Sequence, residues 1–215
     1  MKKKIILPPT TLERLPLYYR TLKELQEGGI SLISSKQLGE ILDITSVQIR
    51  KDLAFLGNVG MKGFGYDVEK LKKSIAEILG LNYRRRLGIV GAGYFGTALA
   101  SCKNFSDMGF EVAALFDVDE RIIGSRVNGI KVYDIEKISS VILRKRIEIG
   151  VIAVPKDFAQ ETADILVAAG IKGILNFAPT KIITPQKIFL RNEDLSFALS
   201  TLSHKITESE QQGIF

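Results

Sequence analysis

Six residues, Gly91-Ala92-Gly93-Tyr94-Phe95-Gly96, carry the spacing G-x-G-x-x-G, and Asp117 follows the last glycine by 21 positions. Those residue types suit a dinucleotide. The first glycine allows a tight turn after a strand, the second lets a pyrophosphate approach the backbone, and the third lets a helix pack on a sheet. The N–H groups at the helix start would face the phosphates. A carboxylate at the end of the next strand accepts hydrogen bonds from an adenosine ribose and repels a 2'-phosphate, so Asp117 points to NAD(H) over NADP(H), although Arg121 nearby works against this.

A second set of residues suits nucleic acid. Ser46, Gln48, Arg50 and Lys51 fall in the N-terminal half of a short helical segment that follows another short helix and a turn at Asp43-Ile44. A recognition helix presents such groups to DNA: Gln pairs with adenine, Arg or Lys with guanine, and Ser with phosphate. The competing reading is a solvated polar face on an ordinary helix. After it comes Gly57-Asn58-Val59-Gly60-Met61-Lys62-Gly63-Phe64-Gly65-Tyr66, with the glycine density of a tight hairpin, a lysine at its tip and aromatics at alternate positions. Beside two such helices it reads as a wing, with Lys62 and Tyr66 as DNA-facing candidates. A glycine-rich connector is the plainer alternative.

These residues must be held by two kinds of structure. Leu12, Leu15, Tyr19, Leu22 and Leu25 give a first helix over about 11–27, in which Pro16 belongs at the start or in the opening turns. Ser34 with Gln37, and Thr45 with Gln48, have capping-box spacing and open the second and third helices, with Val47, Leu53 and Leu56 turned inward in the third. A fourth helix uses Val68, Leu71, Ile75, Ile78 and Leu79 and stops at Gly80. From Leu87 the pattern changes to strands over 87–90, 110–116, 148–154, 172–177 and 188–191, with helices over 134–143 and 157–169 between them. That alternation predicts a doubly wound parallel sheet whose carboxyl-edge loops, including Val154, Pro155 and Asn176, face the nicotinamide half.

The fold class expected is therefore α/β: a winged helix-turn-helix domain over 1–80, a linker over 81–86, a Rossmann domain over 87–191, and a C-terminal helix and tail over 192–215. In the last segment Leu195, Leu199 and Leu202 recur at helical spacing. That helix either packs on its own sheet or reaches a second subunit.

Charge divides at the same place. Residues 1–86 carry 16 positive and 9 negative side chains, whereas 87–215 carry 14 and 15, so the net +6 lies wholly in the first part. A basic field is what a phosphate-neutralising surface needs, although acidic membranes or solubility also accommodate one. The N-terminal lysines precede only three apolar residues, too few for a secretory signal, and no run approaches the roughly 18 to 20 apolar residues of a membrane span. The single cysteine, Cys102, excludes an intrachain disulfide. A soluble, cytoplasmic protein is expected. Cys102 reads as a small buried hydrophobe on the fingerprint helix beside Leu99 and Phe105, not as a reactive thiol.

Taken together, Leu15-Pro16-Leu17-Tyr18-Tyr19-Arg20, Gln48-Ile49-Arg50-Lys51-Asp52-Leu53, Gly63-Phe64-Gly65-Tyr66-Asp67-Val68, Val90-Gly91-Ala92-Gly93 and Gly170-Ile171-Lys172-Gly173-Ile174-Leu175-Asn176-Phe177-Ala178-Pro179 resemble the Rex family of redox-sensing transcriptional repressors. The resemblance runs from about residue 11 to residue 202. It implies a homodimer that binds inverted-repeat operator DNA when NAD+ predominates and releases it as NADH rises. It further implies DNA contacts at Gln48, Arg50, Lys51 and Lys62, a C-terminal helix exchanged between subunits, and Asp194 reaching toward Arg20 in one ligand state. Three departures stand out: Ala54-Phe55-Leu56-Gly57 after the recognition helix, Tyr94-Phe95 within the glycine loop, and Cys102 where many members carry a switch tyrosine.

The rival class is an NAD-dependent dehydrogenase, because fold alone does not fix function. Such an enzyme needs a positioned acid or base. The sole histidine, His204, lies in the polar terminal segment, and Lys156 and Lys181 sit beside turns. No catalytic residue and no metal site are expected. A CoA-binding domain of the same general fold is disfavoured by Asp117.

Overall fold

The computed structural model describes residues 7–57, 59–61 and 63–214. The chain divides into two compact units, residues 1–83 and 84–215.

The first unit orders α1 (Pro9–Glu27), β1 (Leu32–Ile33), α2 (Ser35–Leu42), α3 (Ser46–Ala54), β2 (Gly60–Met61), β3 (Gly65–Asp67) and α4 (Val68–Leu79). Its core is formed by Leu15, Tyr18 and Leu22 of α1, Leu38 of α2, Ile49 and Leu53 of α3, and Leu71 and Ile75 of α4, all buried. The three strands form an antiparallel sheet with β3 in the middle, pairing Ile33 and Gly60 with Tyr66. This is a helix-turn-helix followed by a wing. Ser34 completes a full capping box with Gln37 at the start of α2. Lys62 lies outside the described residues.

Three expectations change here. Pro16 lies within α1, well past its first turn, on the solvent side. Its missing N–H costs one helical hydrogen bond, which burial of Leu15, Tyr18 and Leu22 outweighs. Thr45 caps α3 by accepting from the Gln48 N–H, but Gln48 does not return its side chain to Thr45. Val47 is exposed, and Ile49 takes the inward position instead.

The second unit orders β4 (Arg85–Val90), α5 (Tyr94–Ala100), α6 (Lys103–Asp107), β5 (Phe110–Asp117), β6 (Arg126–Val127), β7 (Ile130–Asp134), α7 (Ile138–Lys145), β8 (Ile149–Ile152), α8 (Ala159–Ala168), β9 (Gly173–Asn176), β10 (Phe189–Asn192) and α9 (Leu195–Gln211). The seven strands run β10-β9-β8-β4-β5-β7-β6, parallel except for the edge pair β6 and β7. The chain winds outward from β4 in both directions, which is the dinucleotide-binding order. Successive residues of the central strands face opposite ways: Ile89, Leu115 and Val151 join one buried cluster, and Val90, Phe116 and Ile152 the other. The inner residues of β4, β5 and β8 are buried whichever face they take, so these strands read as continuous apolar runs.

The β6–β7 pair had no place in the sequence expectation, because its five-residue β7 is followed at once by helix-forming residues. The fingerprint helix is also shorter than expected. It stops at Ala100, and Cys102, half-buried, stands at the start of the separate helix α6. Along α9 no residue is buried, and Leu195, Phe197, Leu199, Leu202 and Ile206 are all exposed.

Candidate functional site

The first unit's polar groups converge on one carboxylate. Asp52, on α3 and 1% exposed, accepts at Oδ1 from Thr11 Oγ1 (2.9 Å), Arg14 Nη2 (2.8 Å) and Gln48 Nε2 (2.9 Å), and at Oδ2 from Arg14 Nε (2.6 Å) and Tyr18 Oη (2.7 Å). Thr11, Arg14 and Tyr18 all come from α1, so this carboxylate fastens the third helix to the first. Burial alone would raise its pKa, but the hydrogen bonds from Arg14, Tyr18, Thr11 and Gln48 win and hold it at about 2. The same pairing raises the Arg14 guanidinium, and burial with the Asp52 bond raises the Tyr18 phenol.

Around that hub the expected DNA-reading side chains differ in freedom. Arg50 and Lys51 are exposed on α3, Arg50 Nη1 donating to Ser35 Oγ on α2 (3.1 Å). Ser46 and Gln48 are half-buried. Tyr66, half-buried on β3, has its phenol raised by burial and pulled back by the Arg50 charge. Sequence reasoning missed Asp52. A signal existed in Thr11, Arg14 and Tyr18, whose spacing puts three polar groups on one stripe of a helix.

In the second unit the glycine loop is built by close approach. Gly91 has φ +97°, a region that side chains disfavour, and a Cβ there would lie 2.4 Å from the Ala153 carbonyl. A Cβ on Gly96 would lie 1.8 Å from the Gly91 carbonyl, so the turn and the helix can meet only at a glycine. Gly93 has nothing within 4 Å of its Cβ position: the loop is open there, where a pyrophosphate would approach.

Asp117 ends β5 beside this loop and is already engaged. Its Oδ2 accepts from the Ala92 N–H (2.6 Å), and its Oδ1 from the N–H groups of Val118 (2.8 Å) and Asp119 (3.0 Å). The carboxylate thereby pins the glycine loop to the neighbouring strand. Arg121, the residue that spoke for a 2'-phosphate, is held by Asp119 through Nε and Nη2, with Nη2 to Oδ2 at 2.7 Å, and that pairing lowers Asp119 to about 2.

The remaining candidates sit at the same carboxyl edge. Val154 borders Gly91, and Pro155 is exposed beside it. Tyr94 is fully exposed, while the Phe95 ring meets Phe177 edge-on at 5.2 Å, joining the glycine loop to the loop after β9. Asn176 is fully buried. Its Nδ2 donates to the carbonyls of Ala178 and Thr180 and to Asn192 Oδ1, and its Oδ1 accepts from the Ala178 N–H, so it staples the β9 loop to β10. The two residues expected to form a switch lie in different units. Arg20 is exposed on α1, and Asp194 caps α9 by accepting from Ser196. Among the described residues no group of acidic, His and Cys side chains could hold a metal, and no helix is long and apolar enough to cross a membrane.

Each unit matches a known family profile. The profile of a family described as a CoA binding domain matches residues 82–180, and that of a putative DNA-binding protein N-terminus matches residues 6–54. The chain is 41% identical, over 98% of its length and 94% of the relative's, to the redox-sensing transcriptional repressor Rex of Thermoanaerobacter sp. strain X514. It is 42% identical to the protein of the same name from Clostridium botulinum strain Hall, over 98% of this chain and all of that one. The chain belongs to the Rex family. Among solved structures, RSP in complex with β-NAD+ and operator DNA superposes with a TM-score of 0.90 at 40% identity, covering 98% of this chain and 97% of that one. RSP in complex with β-NADH gives 0.87 at 38% identity, covering 98% and 99%. The CoA-binding profile thus describes the fold that this member shares, while the full-length relatives are named as repressors.

Two measurements follow for this family member. Asp52→Ala strands Arg14 and Tyr18 and should cost about 3 kcal/mol or more in urea unfolding at pH 7. Because the folded carboxyl titrates below its ordinary value, the hub's contribution is complete above about pH 4 and is lost as pH falls toward 2, so the gap between wild type and variant should close over that window. Second, Gly96→Ala should lower the unfolding midpoint, whereas Gly93→Ala, with open space at its Cβ, should leave it in place.

Proposed function

We propose that this protein is a redox-sensing transcriptional repressor: it binds operator DNA through its winged helix and is released when NADH rises relative to NAD+. The observation that carries this reading is that one chain joins a helix-turn-helix with wing to a dinucleotide fold, in the order and over the full length of a repressor solved with NAD+ and operator DNA and again with NADH. Gly91, Ala92, Gly93, Tyr94, Phe95 and Gly96 would hold the pyrophosphate, Asp117 the adenosine ribose, and Val154, Pro155 and the Asn176 loop the nicotinamide side. Ser46, Gln48, Arg50, Lys51 and Tyr66 would face DNA, together with Lys62. The protein acts in the cytoplasm, where its operator and the NADH pool meet.

A homodimer completes the account. Operators that are inverted repeats call for two-fold symmetry. The unburied apolar stripe of α9 supports exchange of that helix with a second copy, as does an apolar groove of about 550 Å³ on the second unit, lined by Leu87, Phe105, Met108, Phe110, Leu175 and Phe189. In that assembly Asp194 at the start of α9 would reach Arg20 in one ligand state. Cys102, half-buried between two short helices, stands without the tyrosine's hydroxyl at this switch position.

For NADH to act as a switch it must prefer the released conformation, since a ligand that binds both states equally shifts nothing. A gel-shift titration on an inverted-repeat fragment should therefore show affinity falling as NADH replaces NAD+, and binding indifferent to both would overturn the sensor reading. Asp117→Ala should narrow the preference for NADH over NADPH in calorimetry. Steady NADH oxidation with a carbonyl substrate would instead support the dehydrogenase.

A further inference from the structure

Gln48 occupies the part of the recognition helix that faces bases, yet its side chain is not free. Its Nε2 donates to Asp52 Oδ1 at 2.9 Å. The same carboxylate accepts from Thr11, from Arg14 twice and from Tyr18, so it has only acceptors to offer. An amide beside it must therefore turn its nitrogen, never its oxygen, toward Asp52. This removes the ambiguity that a free glutamine carries, because an amide rotated by half a turn exchanges donor for acceptor. The nitrogen has two hydrogens. With one given to Asp52, Oε1 and the other hydrogen remain as an adjacent acceptor and donor. Adenine presents the matching pair in the major groove, its N6 amine and N7.

We propose that Asp52 is a positioning residue for specificity: it holds the Gln48 amide in the one orientation that reads a single adenine in each operator half-site through both N6 and N7. The inference rests on the operator-binding reading above and adds to it which base is read and what fixes the reader. Fixing Gln48 in the free protein removes rotamer freedom before DNA arrives, so less is lost on docking. It also sets a penalty against guanine, whose O6 acceptor would meet Oε1 with no hydrogen between them.

The test begins with an inverted-repeat site selected from random duplexes by the wild-type protein. Failure to select any site would overturn the operator-binding reading itself, which separates the two claims. Each half-site adenine is then replaced in turn by 7-deazaadenine, which lacks the N7 acceptor, and by purine, which lacks the N6 amine. At one adenine per half-site both replacements should weaken wild-type binding roughly tenfold. Gln48→Met should bind natural and modified sites alike. Asp52→Asn, which offers Gln48 a donor as well as an acceptor and so permits both amide orientations, should lose most of the discrimination at that position. A purely structural role for Asp52 would weaken all sites equally and leave the ratio intact. Asp52→Glu, which keeps the charge for Arg14 but moves the acceptor, gives the same readout if Asp52→Asn does not fold. The proposal is overturned if no half-site adenine shows both losses, if Gln48→Met still senses them, or if a folded Asp52 variant discriminates as wild type does.

Discussion

A single buried carboxylate organises the helix-turn-helix half of the molecule. Helix α3 has nine residues, too few to be stable alone, and its own apolar contribution to the core is essentially Ile49 and Leu53. Asp52 supplies the rest of its anchorage by collecting five donors, four from α1 and one from α3 itself. Such a group is costly to bury and costlier to strand. The reward is geometric: the carboxylate fastens α3 to α1 and engages the Gln48 amide.

The dinucleotide half uses a carboxylate for a similar purpose with less burial. Asp117 ties the Ala92 N–H to the end of β5, so the loop that would receive a pyrophosphate is shaped before any ligand arrives. The same capture explains how Asp117 and Arg121 coexist. Asp119 occupies the guanidinium, so the cation that could greet a 2'-phosphate is already paired. Gly91 and Gly96 make the loop possible by omission, each standing where a methyl group would strike a backbone carbonyl.

Much of this was legible in the chain because it depends on local chemistry. Glycine spacing, the position of Asp117, the capping residues Ser34 and Thr45, and the apolar runs of the sheet all act within a few residues of themselves. What was not legible depends on contacts distant in sequence. Nothing near Asp52 announces that Thr11, Arg14 and Tyr18 will close on it from 34 to 41 residues away. Nor does the helical spacing of Val47 say that Ile49 will take its inward place. The break at Cys102 is hidden for a different reason: the end of α5 shows no glycine or proline to mark it.

Sensing requires that the two units be coupled in free energy, whatever path carries the coupling. If NADH lowers operator affinity by some factor, operator must lower NADH affinity by the same factor. The reciprocal quantity is measured by titrating NADH calorimetrically into the protein alone and into the protein saturated with its operator duplex. The account predicts weaker NADH binding in the presence of operator, by the factor that gel shifts give for operator in the presence of NADH. Equal NADH affinity with and without operator would contradict it.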